Sequence, residues 1–194
     1  NARLSALWRE TIQTRKDSAQ KMFPISLKEL RKLADNGGKE AQYQLGAYYF
    51  AGCNVEKDSA EAIYWFGKAA RNGHAEAQFN LGNLYSKGEG VKNNPAEAVR
   101  FWLMAAAQNH PWAQYFLGAC YHKGNGIGKD LTKAELHYKG AFRTLTDSEL
   151  LQKFQASSAR GETKEEIASL LNNVRAALAK IQEEISLSGP AAAP

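Results

Sequence analysis

Long apolar runs are missing from this chain of 194 residues. No stretch of about 18 consecutive apolar residues occurs, so the sequence predicts no membrane-spanning helix. The first 20 positions carry six charged side chains and no apolar core of the kind that a secretory signal peptide requires. Apolar residues nevertheless make up 44% of the chain, which is ordinary for a protein with a packed core.

The chain also has only two cysteines and no dense cluster of charges of one sign. Cys53 and Cys120 stand 67 positions apart, nearly two units of the repeat described below, whereas a disulfide requires α-carbons within about 7 Å. We therefore expect no disulfide between them. The 25 basic and 20 acidic residues are interspersed and leave a net charge of +5. Nucleic-acid-binding proteins usually show a dense basic stripe with exposed aromatic residues, so we expect no nucleic-acid partner.

Sequence motifs of catalysis are absent as well. The chain has no G-x-S-x-G nucleophile motif, no P-loop and no dinucleotide-binding glycine pattern. A metal site requires three or four converging ligands, and the spacing of His74, His110, His122 and His137 does not suggest one. We therefore expect no enzymatic activity, no cofactor and no metal.

The chain does contain one segment written three times. LGAYYFAGCNVEKD begins at residue 45, LGNLYSKGEGVKNN at 81 and LGACYHKGNGIGKD at 117, so the period is 36 residues. A fixed period of this length indicates a repeat architecture. The aligned positions include three alanines followed by glutamine, three Leu-Gly pairs, three tyrosines and, later in the unit, two further sets of alanines that flank an aromatic residue.

Each repeat is predicted to form two helices. Ala41, Leu45 and Tyr49 are spaced by four and define one face of a first helix over about 40–51. Gly46 lies within that helix, where glycine costs about 1 kcal/mol relative to alanine. Because every repeat has glycine at this position, we expect another helix to approach closely there.

The second helix of each repeat begins at a predicted N-cap. Asp58, Asn94 and Asp130 stand at equivalent positions, and their side-chain oxygens can accept hydrogen bonds from the first amides of a helix. Glu61 and Glu97 lie three residues later and predict capping boxes in two of the three repeats. One helix pair cannot cover its own apolar face, so we expect the pairs to stack into an all-α, right-handed solenoid.

The ends of the chain lack the repeat. We assign residues 1–25 to an N-terminal helical cap, 26–143 to the repeats with a partial first unit capped by Ser26, 144–187 to C-terminal capping helices, and 188–194 to a disordered tail. Thr146 is predicted to begin a short helix and Thr163 a longer one. In the longer helix, apolar residues recur at gaps of four and three (167, 171, 174, 178, 181 and 185), with Leu170 widening the face. This helix either covers the end of the last repeat or pairs with another chain, including a second copy.

The motif A-Q-[YF]-x-L-G-x-x-Y-x-x-G-x-G-V over about 41–143 resembles the Sel-1-like repeat, a relative of the tetratricopeptide repeat. The resemblance implies a bacterial, non-enzymatic protein-binding module that acts as a scaffold or adaptor. It leaves open an immunity protein that neutralises a toxin or effector, a peptidoglycan- or envelope-associated regulator, and an oligomerising assembly subunit. The first residue is Asn rather than Met, so the chain is either processed or trimmed. We slightly favour the periplasm or secretion, for which an export signal would have been removed, over the cytoplasm.

The resemblance further implies that a protein or peptide partner lies on a concave face lined by the first helix of each repeat. Positions on that face that vary between repeats are our candidate binding residues: Glu40, Ala47, Phe50, Glu76, Asn83, Ser86, Lys87, Trp112, Ala119, His122 and Lys123. Tyr43, Phe79 and Tyr115 recur beside them and are either binding or structural residues. Trp112 is a candidate anchor because the other repeats have glutamate there.

Overall fold

The computed structural model describes residues 26–52, 55–157 and 163–188. These residues form nine helices and no strand: α1 (Leu27–Asp35), α2 (Lys39–Ala51), α3 (Ser59–Arg71), α4 (Ala75–Lys87), α5 (Pro95–Ala106), α6 (Pro111–Lys123), α7 (Leu131–Thr146), α8 (Ser148–Ser157) and α9 (Lys164–Ser188). None of them is long and apolar enough to cross a membrane. The all-α prediction is confirmed. The predicted cap over 1–25, Cys53, and residues 189–194 of the predicted tail lie outside the described residues.

The described residues form two compact units. The first contains the residues up to Ala77 together with Glu89–Val91, and the second contains Gln78–Gly88 and the residues from Lys92 onward. In the first unit, Leu30, Leu45, Tyr48 and Trp65 form the centre of one apolar cluster. α1 and α2 therefore share their buried faces with α3.

The recurring helical glycine marks close helix approach, as predicted. A Cβ built on Gly46 would lie 2.6 Å from the ring of Phe66, which faces it from α3. In the second unit Gly118 stands in the same relation to Tyr138, at 2.6 Å, and Gly82 lies against the indole of Trp102. Each first helix thus packs directly against an aromatic ring of the second helix in its own repeat.

The predicted N-caps of the second helices are confirmed in all three repeats. Asp58 accepts hydrogen bonds from the amides of Ala60 and Glu61 at 2.9 and 3.0 Å. Asn94 accepts one from Glu97 at 3.2 Å, and Asp130 accepts one from Lys133 at 2.9 Å.

The predicted capping boxes are wrong. In a capping box the glutamate accepts a hydrogen bond from the backbone N–H of the cap residue. Here the backbone N–H of Asp58 donates to the carbonyl of Tyr49, and that of Asn94 donates to Tyr85, both at 2.9 Å. The carboxylate of Glu61 instead accepts from the indole Nε1 of Trp65 at 3.1 Å. A carbonyl of the preceding helix already accepts the hydrogen bond from each cap amide, so the glutamate side chain can bond elsewhere.

The start of α8 also differs from the prediction. Thr146 is the last residue of α7, and its hydroxyl donates to the carbonyl of Phe142 at 2.8 Å. Asp147 is the cap, and it accepts from the amides of Glu149 and Leu150 at 3.0 and 3.1 Å. A carboxylate one residue later thus takes the place that the sequence suggested for the hydroxyl.

The long C-terminal helix α9 packs within the second unit. Leu170, Val174 and Ile181 are fully buried and join a cluster with Tyr138 and Leu145 of α7. The sequence placed Leu171 in the main apolar stripe and Leu170 beside it, but Leu170 is fully buried and Leu171 is only partly buried. The buried residues follow the 3.6-residue period of a helix that packs on a globular core. At Thr163 and Glu166 the predicted cap is confirmed as a reciprocal capping box.

Candidate partner-binding surface

Three of the candidate binding residues are buried. Tyr43 is 7% exposed, Glu76 3% and Phe79 4%. The Tyr43 ring stacks on His74 with centroids 4.4 Å apart. The Phe79 ring stacks on His110 at 4.6 Å. Of the two alternatives that the sequence left open for Tyr43 and Phe79, the structural one describes these positions.

The two buried histidines cap helices, a role that the sequence analysis did not foresee. His74 Nδ1 accepts a hydrogen bond from the amide of Ala77, and His110 Nδ1 accepts one from Ala113, both at 3.3 Å. An accepting Nδ1 places the ring proton on Nε2. The sequence does contain a sign of this role, since each histidine stands three residues before one of the aligned alanines, the spacing of a cap and the amide that it binds. Histidine is not among the usual N-cap residues, so the sequence alone does not predict these caps.

On α2, the candidate Glu40 is engaged by its own unit. Its carboxylate lies 3.1 Å from His74 Nε2 and also accepts from Gln44 at 3.0 Å. Phe50 is 37% exposed, with the Lys57 ammonium 5.3 Å from its ring centroid. Ala47 is partly buried against the first-unit cluster.

In the second unit, α4 and α6 present the larger group of accessible candidates. The rings of Phe79 and Phe116 stack with centroids 6.0 Å apart and hold the two helices together. We define the α4–α6 surface as Asn83, Ser86 and Lys87 of α4 with Ala119 and Lys123 of α6. Lys87 and Lys123 are exposed, and the other three are partly exposed. The helical spacing of 83, 86 and 87, and of 119 and 123, places each set on one face of its helix.

Trp112 and Tyr115 are partly buried at the edge of this surface. The indole of Trp112 packs against the apolar cluster of α7 and α9 and against a second cluster of the same unit, which contains Phe79, Trp102 and Leu117. The Tyr115 ring lies 5.7 Å from Tyr138 and 5.8 Å from Phe116, measured between centroids. Both side chains therefore contribute to packing, and only part of each remains available to a partner.

His122 is held by the C-terminal helix. Its Nε2 lies 2.9 Å from the Glu184 carboxylate of α9, and Lys129 Nζ lies 4.0 Å from the second oxygen. The hydrogen bond from His122, followed by the charges of His122 and Lys129, lowers the pKa of Glu184. The candidate binding residue is thus already paired with a carboxylate of its own chain, which sequence reasoning could not detect across 62 positions.

Burial shifts the pKa of three ionisable side chains in the second unit so that each favours its neutral form. It raises the pKa of the Cys120 thiol to about 11 and that of the Tyr138 hydroxyl to about 12. It lowers the pKa of His137, which stacks on Tyr121 with centroids 5.4 Å apart. Among the residues that the structure describes, no three His, Cys, Asp or Glu side chains converge as metal ligands would. The buried Cys120, Tyr138 and His137 therefore contribute to packing in their neutral forms.

Comparison with known proteins identifies the repeat. The Sel1 repeat model matches residues 39–74, 75–110 and 113–141, more than half of the chain. A Sel1 repeat protein from Oxalobacter formigenes is 34% identical with a TM-score of 0.58, and the alignment covers 67% of this chain and 97% of that one.

A protective antigen of uropathogenic Escherichia coli, c5321, displays an SLR fold and is 26% identical with a TM-score of 0.62. The alignment covers 93% of this chain but 41% of c5321, so this chain spans about two fifths of that protein's length. Among proteins with curated descriptions, none matches. Sel1 repeats form helical solenoids that typically mediate protein–protein interactions. The chain belongs to the Sel1 repeat family, as the resemblance in its sequence indicated.

Proposed function

We propose that this chain is a non-enzymatic interaction module, a scaffold or adaptor, whose protein partner docks on the α4–α6 surface. This surface is the part of the expected concave face that lies within the second unit. The proposal narrows the sequence-based set of candidates to those side chains that are exposed or partly exposed and are not already engaged by the chain itself.

The observation that carries the proposal is the contrast between buried and accessible positions of the same helices. Leu81 and Leu117 are equivalent, buried and identical. Two residues later, the equivalent and partly exposed positions hold Asn83 and Ala119. Equivalent buried positions pack against equivalent neighbours and hold the same residue, whereas equivalent accessible positions on the α4–α6 surface hold different residues. This difference supports the proposal, since accessible side chains that differ between repeats can match a particular partner at each point.

The chemistry of the second unit also supports binding rather than catalysis. A nucleophilic cysteine requires a lowered pKa and access to substrate, whereas burial raises the pKa of Cys120 and leaves it 6% exposed. The Cys120 thiol is therefore not poised to attack a small substrate.

The packing of α9 further supports a partner other than a second copy. Its fully buried residues contact α7 within the same chain. Leu170, Val174 and Ile181, three of the apolar residues that could have driven pairing between copies, are therefore already buried within the chain. We propose that α9 closes the end of the repeat array, as terminal elements of repeat proteins do.

Site-specific photo-crosslinking tests the proposal. A benzophenone amino acid is placed at Asn83, on the α4–α6 surface, and in a matched protein at Leu136, which is 66% exposed on α7. Both proteins are irradiated in the source cells, and the products are identified by mass spectrometry. We expect one predominant protein adduct from position 83 and none from position 136. An adduct from position 136 alone would place the partner elsewhere and contradict the proposal.

A further inference from the structure

The loop after α6 receives a carboxylate from the element that follows the repeat. Glu184 of α9 approaches both His122, at the end of α6, and Lys129, in the loop. The two oxygens of Glu184 face these two bases at 2.9 and 4.0 Å. This end of the third repeat thus binds an acidic side chain that is presented on a helix.

The first repeat shows the same relationship in its own unit. Lys57 stands 72 positions, or two periods, before Lys129. Its ammonium lies 3.1 Å from the carboxylate of Glu89. The loop lysine at this repeat position therefore receives a carboxylate in the first repeat as well as in the third.

The middle repeat breaks the pattern. Asn93 replaces the loop lysine, and its side-chain amide donates to the carbonyl of Ser86. The position equivalent to Glu89 holds Asn125 in the next repeat, so the acidic side chain is missing too. Two exposed lysines remain beside this loop, Lys87 at the end of α4 and Lys92. Neither has a carboxylate partner within the described ranges.

A third lysine lies at the same end of the second unit. Gly126, in the loop after α6, lies directly against Pro95, the first residue of α5. This contact brings the loop that follows Lys123 against the segment that follows Lys92. Lys123 is exposed, and none of the described carboxylates pairs with it. Lys87 and Lys123 are also the last residues of their helices, which are held side by side by the Phe79–Phe116 stack.

We infer that Lys87, Lys92 and Lys123 form a receptor for an acidic segment of the protein partner. The inference rests on the proposed function and specifies the chemistry of the partner. The partner carboxylates take the role at the middle repeat that Glu184 and Glu89 take at its neighbours. Charge complementarity carries the assignment, since the α4–α6 surface contributes only the neutral Asn83, Ser86 and Ala119 besides lysine.

A binding assay with a defined probe tests the receptor. The probe is a short fluorescein-labelled poly-glutamate peptide, and its binding is followed by fluorescence anisotropy at low salt. A triple variant, Lys87→Gln, Lys92→Gln and Lys123→Gln, removes the receptor. A control variant, Lys139→Gln, Lys153→Gln and Lys164→Gln, makes the same change in net charge at exposed lysines of the same unit. Circular dichroism verifies that both variants are folded.

We expect the receptor variant to bind poly-glutamate about tenfold more weakly than the wild type, as expected for three exposed charge contacts. The control variant is expected to stay within about twofold, and added salt is expected to weaken wild-type binding. Equal losses in both variants would show that net charge alone attracts the peptide, and no wild-type binding would show that there is no receptor. Tighter binding of a labelled single-stranded oligothymidylate would assign the lysines to nucleic acid. Each of these three results overturns the inference.

The experiments can refute the docking surface and the lysine receptor independently of each other. A partner crosslinked from Asn83 whose affinity is unchanged in the receptor variant keeps the α4–α6 surface as the docking site and removes the lysines from it. Poly-glutamate binding that depends on the three lysines, together with crosslinks only from Leu136, keeps an acid-binding site and removes the α4–α6 surface as the docking site of the partner.

Discussion

The side-chain oxygen of Gln42 accepts a hydrogen bond from the side-chain amide of Asn72 at 2.9 Å. The partners stand 30 positions apart, one near the start of α2 and the other at the end of α3. In the second unit, Gln78 accepts from Gln108 at 2.8 Å and Gln114 accepts from Thr144 at 3.4 Å, again 30 positions apart. The glutamine of the A-Q motif therefore ties the two ends of each repeat together.

Removing this link is expected to destabilise the first unit. Gln42 is 3% exposed and also donates to the carbonyl of Ala34 at 3.0 Å, so Gln42→Ala removes two hydrogen bonds of a buried side chain. We expect a loss of about 1–3 kcal/mol in the free energy of unfolding, and about 1 kcal/mol of coupling to Asn72→Ala. Urea unfolding of the two single variants and the double variant measures both quantities. Additive losses would mean that the bond contributes nothing of its own.

The close helix approach at Gly46 makes an opposite prediction for two glycines of the same unit. Gly46→Ala would force a methyl group against the Phe66 ring, and we expect it to destabilise by about 1–3 kcal/mol. Gly67 lies within α3, and the nearest atom to an added Cβ is Arg71 Nη1 at 3.7 Å. There the gain in helix propensity prevails, and Gly67→Ala is expected to stabilise by about 0.5–1 kcal/mol. Thermal unfolding should therefore shift in opposite directions, and a shared direction would refute the packing argument.

Local features of this fold were predictable from sequence, and contacts between distant segments were not. The caps at Asp58, Asn94 and Asp130 depend on amides two or three residues away, so the sequence contains both partners. The failed capping box at Glu61 shows the limit. Its cap amide binds the carbonyl of Tyr49, and only the folded hairpin brings these groups together.

The candidate site shows the same limit. The recurring Tyr43 and Phe79 proved to be buried, which the sequence had left undecided. The sequence placed His122 on an accessible helix face, but Glu184 of a non-repeated helix occupies it. Variation between repeats indicated where binding residues could lie, but it could not show which of them the chain itself would engage.

The thiol of Cys120 is expected to be unreactive in the folded protein. With its pKa raised to about 11 by burial, roughly one thiol in a thousand is ionised at pH 8. In a Cys53→Ser background, which removes the only other cysteine, we expect a maleimide reagent to modify Cys120 only under unfolding conditions. Rapid modification of the native protein at pH 8 would contradict the packing of α6.

The pairing of Glu184 predicts how the attachment of α9 depends on pH. Because folding lowers the pKa of Glu184, its contribution to stability is present above the ordinary glutamate pKa and is lost as pH falls through the lowered value. We therefore expect Glu184→Gln to lower the melting temperature at pH 7, and this deficit to shrink toward pH 3.

The neighbouring variant Glu183→Gln is the matched control, since Glu183 is exposed and has no described pairing. Its melting temperature is expected to follow that of the wild type at each pH. A constant deficit for Glu184→Gln across the pH range would show that the carboxylate does not stabilise α9 through its charge.

The affinity of the crosslinked partner for two tryptophan variants tests whether the partner docks on the α4–α6 surface. Asn83→Trp places a bulky, uncharged side chain on the α4–α6 surface, and Leu136→Trp makes a comparable change on α7. Isothermal titration calorimetry of each purified variant gives its dissociation constant. We expect at least tenfold weaker binding for Asn83→Trp, about 1.4 kcal/mol, and binding by Leu136→Trp close to that of the wild type. Undiminished binding by a folded Asn83→Trp protein would show that the partner does not dock on the α4–α6 surface.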